Sequence, residues 1–125
     1  MYYHTSKWGR AKKTVVDGKK YDSHCEAAYA NELILRVKAG EIQGFDSHVR
    51  QELNVNGFHI ADYYIDFVVY HNDGTVEMVE TKGLPTPVWV LKWKILEALT
   101  SEDPNIKLTL VQQKKFKMRR IRKIG

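Results

Sequence analysis

The stretch IDFVVYHNDGTVEMVETKG, residues 65–83, decides how this chain folds. Two apolar, β-branched runs flank Asn72-Asp73-Gly74, the composition of a β-hairpin whose loop ends on a left-handed glycine. With those three residues as the loop, His71 pairs with Thr75, and the same register sets Asp66 opposite Glu80 and Tyr64 opposite Lys82. Strand alternation then puts Glu80 and Lys82 on one face with Val76 and Met78, and Asp66 on the matching face of the partner strand. Two carboxylates facing each other across a strand pair repel, and charges are costly to bury. A divalent cation reverses that sign, because Mg2+ and Mn2+ take oxygen ligands and are commonly held by one or two carboxylates together with phosphate oxygens. Lys82, one pleat beyond Glu80, suits the orientation or deprotonation of an attacking water and the stabilisation of charge growing on a phosphate. The arrangement points to metal-assisted phosphodiester hydrolysis with Mg2+ or Mn2+ as cofactor. Asp62 is a rival first carboxylate, which loses to Asp66 on register. The plain alternative is a solvated sheet face on which Asp66 pairs with a nearby base.

Outward from the hairpin, YDSHCEAAYANELILRVKAGEI (21–42) reads as a helix. Ser23 and Glu26 form a capping box, and Gly40 stands where a left-handed C-terminal residue is wanted. Ala30, Leu33, Ile34 and Val37 continue an apolar stripe from Glu26, which turns that acid toward the buried face. After a turn expected near Gly44, SHVRQELNV and FHIADYYIDFVVY alternate as strands joined around Asn56-Gly57. LPTPVWVLKWKILEALTSEDPN starts with prolines suited to the first turn of a helix, and IKLTLVQ alternates as a last strand. Residues 1–20 read as an irregular arm or a short hairpin closed by Asp17-Gly18. Helix, three strands, helix and strand make one mixed α/β domain.

The 125 residues carry a net charge of +5, unevenly spread. Lys114, Lys115, Lys117, Arg119, Arg120, Arg122 and Lys123 stand in a tail (111–125) without an acid, and the first twenty residues hold six more basic side chains against Asp17. Positions 21–110 hold 7 basic and 14 acidic residues. Basic ends around an acidic centre suit a protein that grips a polyanion with its flanks, since Lys and Arg supply the sequence-independent part of nucleic-acid affinity. Lys92 and Lys94 on the second helix are further candidates for phosphate contact, whereas Trp89 and Trp93, four apart, are expected to pack. The single Cys25 excludes an internal disulfide and a cysteine zinc cluster. The five histidines lack the spacing of a zinc protease, no glycine loop cradles a nucleotide, and no apolar run reaches membrane length. The expectation is a soluble, cytoplasmic protein with no membrane partner and no nucleotide cofactor.

Taken in order, VDGKKYDSHCEAAYANEL, the strand ending IDFVVY, the NDG turn, VETKG and TPVWVLKWKILE resemble small phage-encoded nucleases of the PD-(D/E)XK superfamily over roughly residues 14–100. The resemblance implies a single restriction-endonuclease-like domain over residues 1–125, a mixed β-sheet flanked by helices in the order α-β-β-β-α-β. It implies that Asp66 and Glu80 bind the metal and that Lys82 completes the catalytic set. Glu26 would be the first-helix acid that many members point at the metal, in competition with its capping role. A glutamine often lies in the strand before the catalytic hairpin of related nucleases, and in HVRQEL His48 and Gln51 both remain open for that place. Ile65 stands where the superfamily's name has proline. By analogy of fold, the leading reading is a structure-specific DNA endonuclease resolving Holliday junctions or other branched DNA, and hence a homodimer that makes two opposed cuts in host cytoplasm. The alternatives are a nicking, repair or restriction-type nuclease of the same fold, and a non-catalytic nucleic-acid-binding protein that uses only its basic termini.

Overall fold

The computed structural model describes residues 14–16, 19–21, 24–82, 85–112 and 121–124. A short antiparallel hairpin, β1 (Thr14–Val16) and β2 (Lys19–Tyr21), precedes helix α1 (His24–Lys38). Strands β3 (Ile42–Val55), β4 (Phe58–His71) and β5 (Val76–Lys82), helix α2 (Pro87–Thr100) and strand β6 (Ile106–Gln112) follow. The sheet order is β3-β4-β5-β6, antiparallel except for the β5–β6 pair. Parallel neighbours need a crossover, and α2 supplies it. The result, among the described residues, is an α/β fold with a four-stranded mixed sheet and two helices. Among the described residues, no helix is long and apolar enough to cross a membrane.

Local chemistry sets the ends of these elements. At the end of α1, Gly40 takes φ +75° while Glu41 N–H donates to Arg36 O and Gly40 N–H to Val37 O, the reciprocal bonds that satisfy a helix's last carbonyls. At the other helix, Thr86 is an extended N-cap whose hydroxyl accepts from Trp89 N–H, and Pro87 follows in the first turn, where its missing donor costs nothing. Ser23, the expected cap of α1, lies outside the described residues.

The Asn72-Asp73-Gly74 loop closes as its composition requires. His71 N–H donates to Thr75 O, Gly74 N–H to His71 O, and Gly74 takes φ +89°. Partners run from Tyr70↔Val76 to Phe67↔Val79, the register that this loop predicts. Asn56 and Gly57, at φ 52° and +83°, turn β3 into β4. Near Gly44 the expectation of a turn is corrected: β3 runs straight through it, absorbing the glycine as an irregularity between Ile42 and Gly44.

Each helix covers one face of the sheet. Ala27, Ala30 and Leu33 of α1 bury against Ile42, Phe67, Val69 and Val79, with the Tyr29 and Phe45 rings 5.4 and 6.1 Å from Phe67. Trp89, Trp93 and Leu96 of α2 bury against Leu53, Tyr63, Ile65, Val68 and Met78, the two indoles stacked at 5.7 Å. These clusters reveal a break in alternation. Ile65 belongs to the α2 side and Phe67 to the α1 side, although residues two apart should share a face. The same change separates Val49 from Phe45 on β3. Between them lie Asp66 and His48, and His48 has φ +54°, rare for a residue with a side chain. The long hairpin therefore exchanges faces at one rung, and that rung carries the polar residues described next.

Candidate metal centre

Glu26 stands in the first turn of α1, on the same stripe as Ala30 and Leu33, and is only 5% exposed. A carboxylate buried that far needs polar partners. One comes from β3, where the left-handed backbone of His48 carries Nε2 to 2.5 Å from Glu26 Oε1. The other acid of the group comes from β4. Ligand atoms of Glu26, His48 and Asp66 all lie within 4.8 Å of one another. Asp66 is further fixed from β5, its Oδ2 accepting both the backbone N–H and the hydroxyl of Thr81 at 2.9 Å. Two carboxylates and one imidazole thus gather in a largely buried place. That acid excess is felt by the neighbouring Cys25, whose thiol is pushed up by burial first and then by the charges of Asp66 and Glu26. An oxygen-rich set with one nitrogen fits a divalent cation.

Glu80 is also buried, at 5% exposure, but on the other side of the sheet. Its Oε1 accepts from the Tyr63 hydroxyl at 2.8 Å and from Trp89 Nε1 at 3.1 Å, while the same indole N–H reaches Tyr63 Oη at 2.8 Å. Burial, and then the Glu80 charge, push the Tyr63 hydroxyl's titration far upward, so it remains a donor. This corrects the expectation that Asp66 and Glu80 share one side as a facing pair. Ladder pairing stops at Phe67↔Val79, Asp66 turns toward Thr81 and the α1 side, and Glu80 joins the α2-side aromatics. The alternation argument fails because the face exchange occurs at Asp66 itself.

Of the other candidates, Gln51 stays away, its amide donating to Glu52 O. Asp62 belongs to an exposed group at the far end of the hairpin, 3.2 Å from Arg50 and 3.3 Å from His59. Lys92 is half-buried and donates to the backbone carbonyl of Asp62, tying α2 to β4, and Lys94 is half-buried as well. Arg122 and Lys123 are exposed, next to an Ile121 that lines a cleft with Glu97, Thr100 and Leu108. The Lys82 side chain, together with Lys114, Lys115, Lys117, Arg119 and Arg120, lies outside the described residues. Sequence reasoning missed Tyr63 and Trp89 as partners of Glu80. An amphipathic ring on each of two neighbouring elements, both facing a buried acid, was the available signal.

A family model described as "Protein of unknown function (DUF1064)" matches residues 5–118. No curated protein and no solved structure matches the chain.

Proposed function

The chain belongs to the DUF1064 family, and we propose that it is a divalent-metal-dependent DNA endonuclease of the PD-(D/E)XK type. One observation carries the reading: Glu26, His48 and Asp66, drawn from three separate elements, converge within 4.8 Å with two acids to one imidazole. Glu52, His59 and Asp62 meet the same spacing in an exposed place, but the Glu26 set is largely buried, where a divalent cation would offset the repulsion of its two acids. Glu26, His48 and Asp66 would hold the ion, Mg2+ or Mn2+, while Glu80, the other acid the resemblance implies, stands across the sheet against Tyr63 and Trp89. When bound, the ion supplies Lewis acidity toward a phosphate oxygen and lowers the pKa of a ligated water.

The chain's own residues have separable parts in this reading. Thr81 holds Asp66 through two hydrogen bonds, and Tyr63 with Trp89 orients Glu80. Lys82, two residues past Glu80 on β5, would steer an attacking water and meet charge developing on the phosphate. Arg122, Lys123 and the other basic residues of the tail supply the salt-sensitive grip on DNA. A branched substrate, with Holliday junctions first, and a homodimer that cuts twice complete the proposal by analogy of fold.

The test compares four-way junction, flap and linear duplex DNA, each with Mg2+, Mn2+ or chelator at fixed salt. Expected is ion-dependent cutting, fastest on the junction, and abolished by chelator. Equal rates on all three would remove the branched-DNA part. Binding without cutting under every ion would leave a nucleic-acid-binding protein and overturn the enzyme.

A further inference from the structure

We propose that His48 sets the ion preference of this cluster, so that it takes Mn2+ well ahead of Mg2+. The inference rests on the reading of Glu26, His48 and Asp66 as a metal site. Any ion held by all three meets two carboxylate oxygens and one imidazole nitrogen. Mg2+ is small and hard, dehydrates reluctantly and is served by oxygen ligands, whereas nitrogen donors raise affinity along the first transition row, which begins for this purpose at Mn2+. An all-carboxylate site would hold the two ions more evenly.

The imidazole, which already partners the buried Glu26, is also held firmly in place. Its backbone sits at φ +54°, a conformation that costs a β-carbon-bearing residue energy and persists where the surroundings impose it. Its rung lies between two regular pairs, Ser47↔Phe67 and Val49↔Ile65, which hold the irregular residue in place. Its side chain is 7% exposed, so the ring cannot swing into solvent to leave an all-oxygen site. The structure thus keeps a nitrogen donor beside Glu26 and Asp66 at the expense of local backbone comfort.

The test is ion binding by the full chain, with Mn2+ followed by electron paramagnetic resonance and Mg2+ by competition. An Asp62→Asn background removes the exposed Glu52–His59–Asp62 group, which gathers a second set of possible ligands. His48→Asn is the informative variant. Asparagine tolerates the left-handed backbone and offers an amide oxygen in place of the nitrogen. His48→Gly relieves the backbone altogether and removes the donor, and circular dichroism melts verify that each variant folds.

Wild type is expected to prefer Mn2+ by about tenfold or more, to show imidazole nitrogen coupling in the Mn2+ spectrum, and to lose both in His48→Asn. His48→Gly is expected to lose the coupling and narrow the preference in the same way. Equal affinity of wild type for the two ions, or a preference and a nitrogen coupling that survive in either variant, would overturn the inference while leaving the metal site intact. Binding of neither ion by wild type would overturn the site and the inference together.

Discussion

On the α1 face of the sheet two buried glutamates each sit against a histidine, and the two pairs are finished differently. Glu77 shares its carboxylate between His71, whose Nε2 lies 2.8 Å from Oε1, and Thr109, whose hydroxyl donates to Oε2 at 2.5 Å. Burial works against its charge, but the hydrogen bonds from Thr109 and His71, with Lys107 nearby, outweigh it and hold the carboxyl below its ordinary value. One acid meets one imidazole, a hydroxyl and an ammonium, so the pair is electrostatically closed. Glu26 meets His48 and then a second acid, Asp66. On the proposed reading, the Glu77 pair serves packing, whereas the Glu26 pair, which gathers a second acid, serves to hold a cation.

Breaking each pair in turn gives the largest expected contrast. On the proposed reading, Asp66→Asn should reduce DNA cutting about a hundredfold or more, because it removes a charged ligand of the ion. The salt-sensitive DNA binding proposed for the basic tail should persist. Glu77→Gln should instead cost about 1–3 kcal/mol of stability, by leaving His71 and Thr109 with a poorer acceptor, and should leave the cutting rate of the folded protein unchanged. Rates and denaturant melts of both variants measure this. If both lose cutting to the same extent after correction for the folded fraction, the distinction between the two pairs fails.

A smaller effect separates Glu80 from both pairs. Tyr63→Phe removes the hydroxyl that donates to Glu80 and accepts from Trp89, leaving the indole N–H as the remaining aromatic donor. Stability should fall by about 1 kcal/mol. If Glu80 takes part in phosphodiester cleavage, kcat should drop with little change in substrate affinity. An unchanged rate would make the Glu80 network packing alone.

Much of this arrangement was legible in the sequence wherever a local rule applied without interruption. Asn72-Asp73-Gly74 fixed its own loop and thereby the β4–β5 register, Gly40 ended α1, and Thr86-Pro87 began α2. The apolar stripe turned Glu26 inward, as its burial bears out. What escaped is the exchange of faces at His48 and Asp66. Strand alternation assumes one parity along the whole strand, and no residue at that rung is a glycine or proline that would advertise an irregularity. The convergence of Glu26 with His48, 22 residues apart and on different elements, is a tertiary fact with no local signal.

The smallest expected effect is the acid limb of stability, and it again divides the two glutamate–histidine pairs. Because the folded protein holds the Glu77 carboxyl below its ordinary value of 4.5, the unfolded chain binds more protons than the folded one in the interval between the two values. Stability from this group is therefore fully present above about pH 4.5, and is lost as the pH falls through the lowered folded value. Denaturant melts taken downward from pH 5 should show that loss in wild type and a shallower slope in Glu77→Gln, whose amide does not titrate. Asp66→Asn should retain the wild-type slope from Glu77, since the two acids belong to separate networks. A slope that flattens in Asp66→Asn and not in Glu77→Gln would reverse the assignment, making the Glu26 cluster the one that folding depends on.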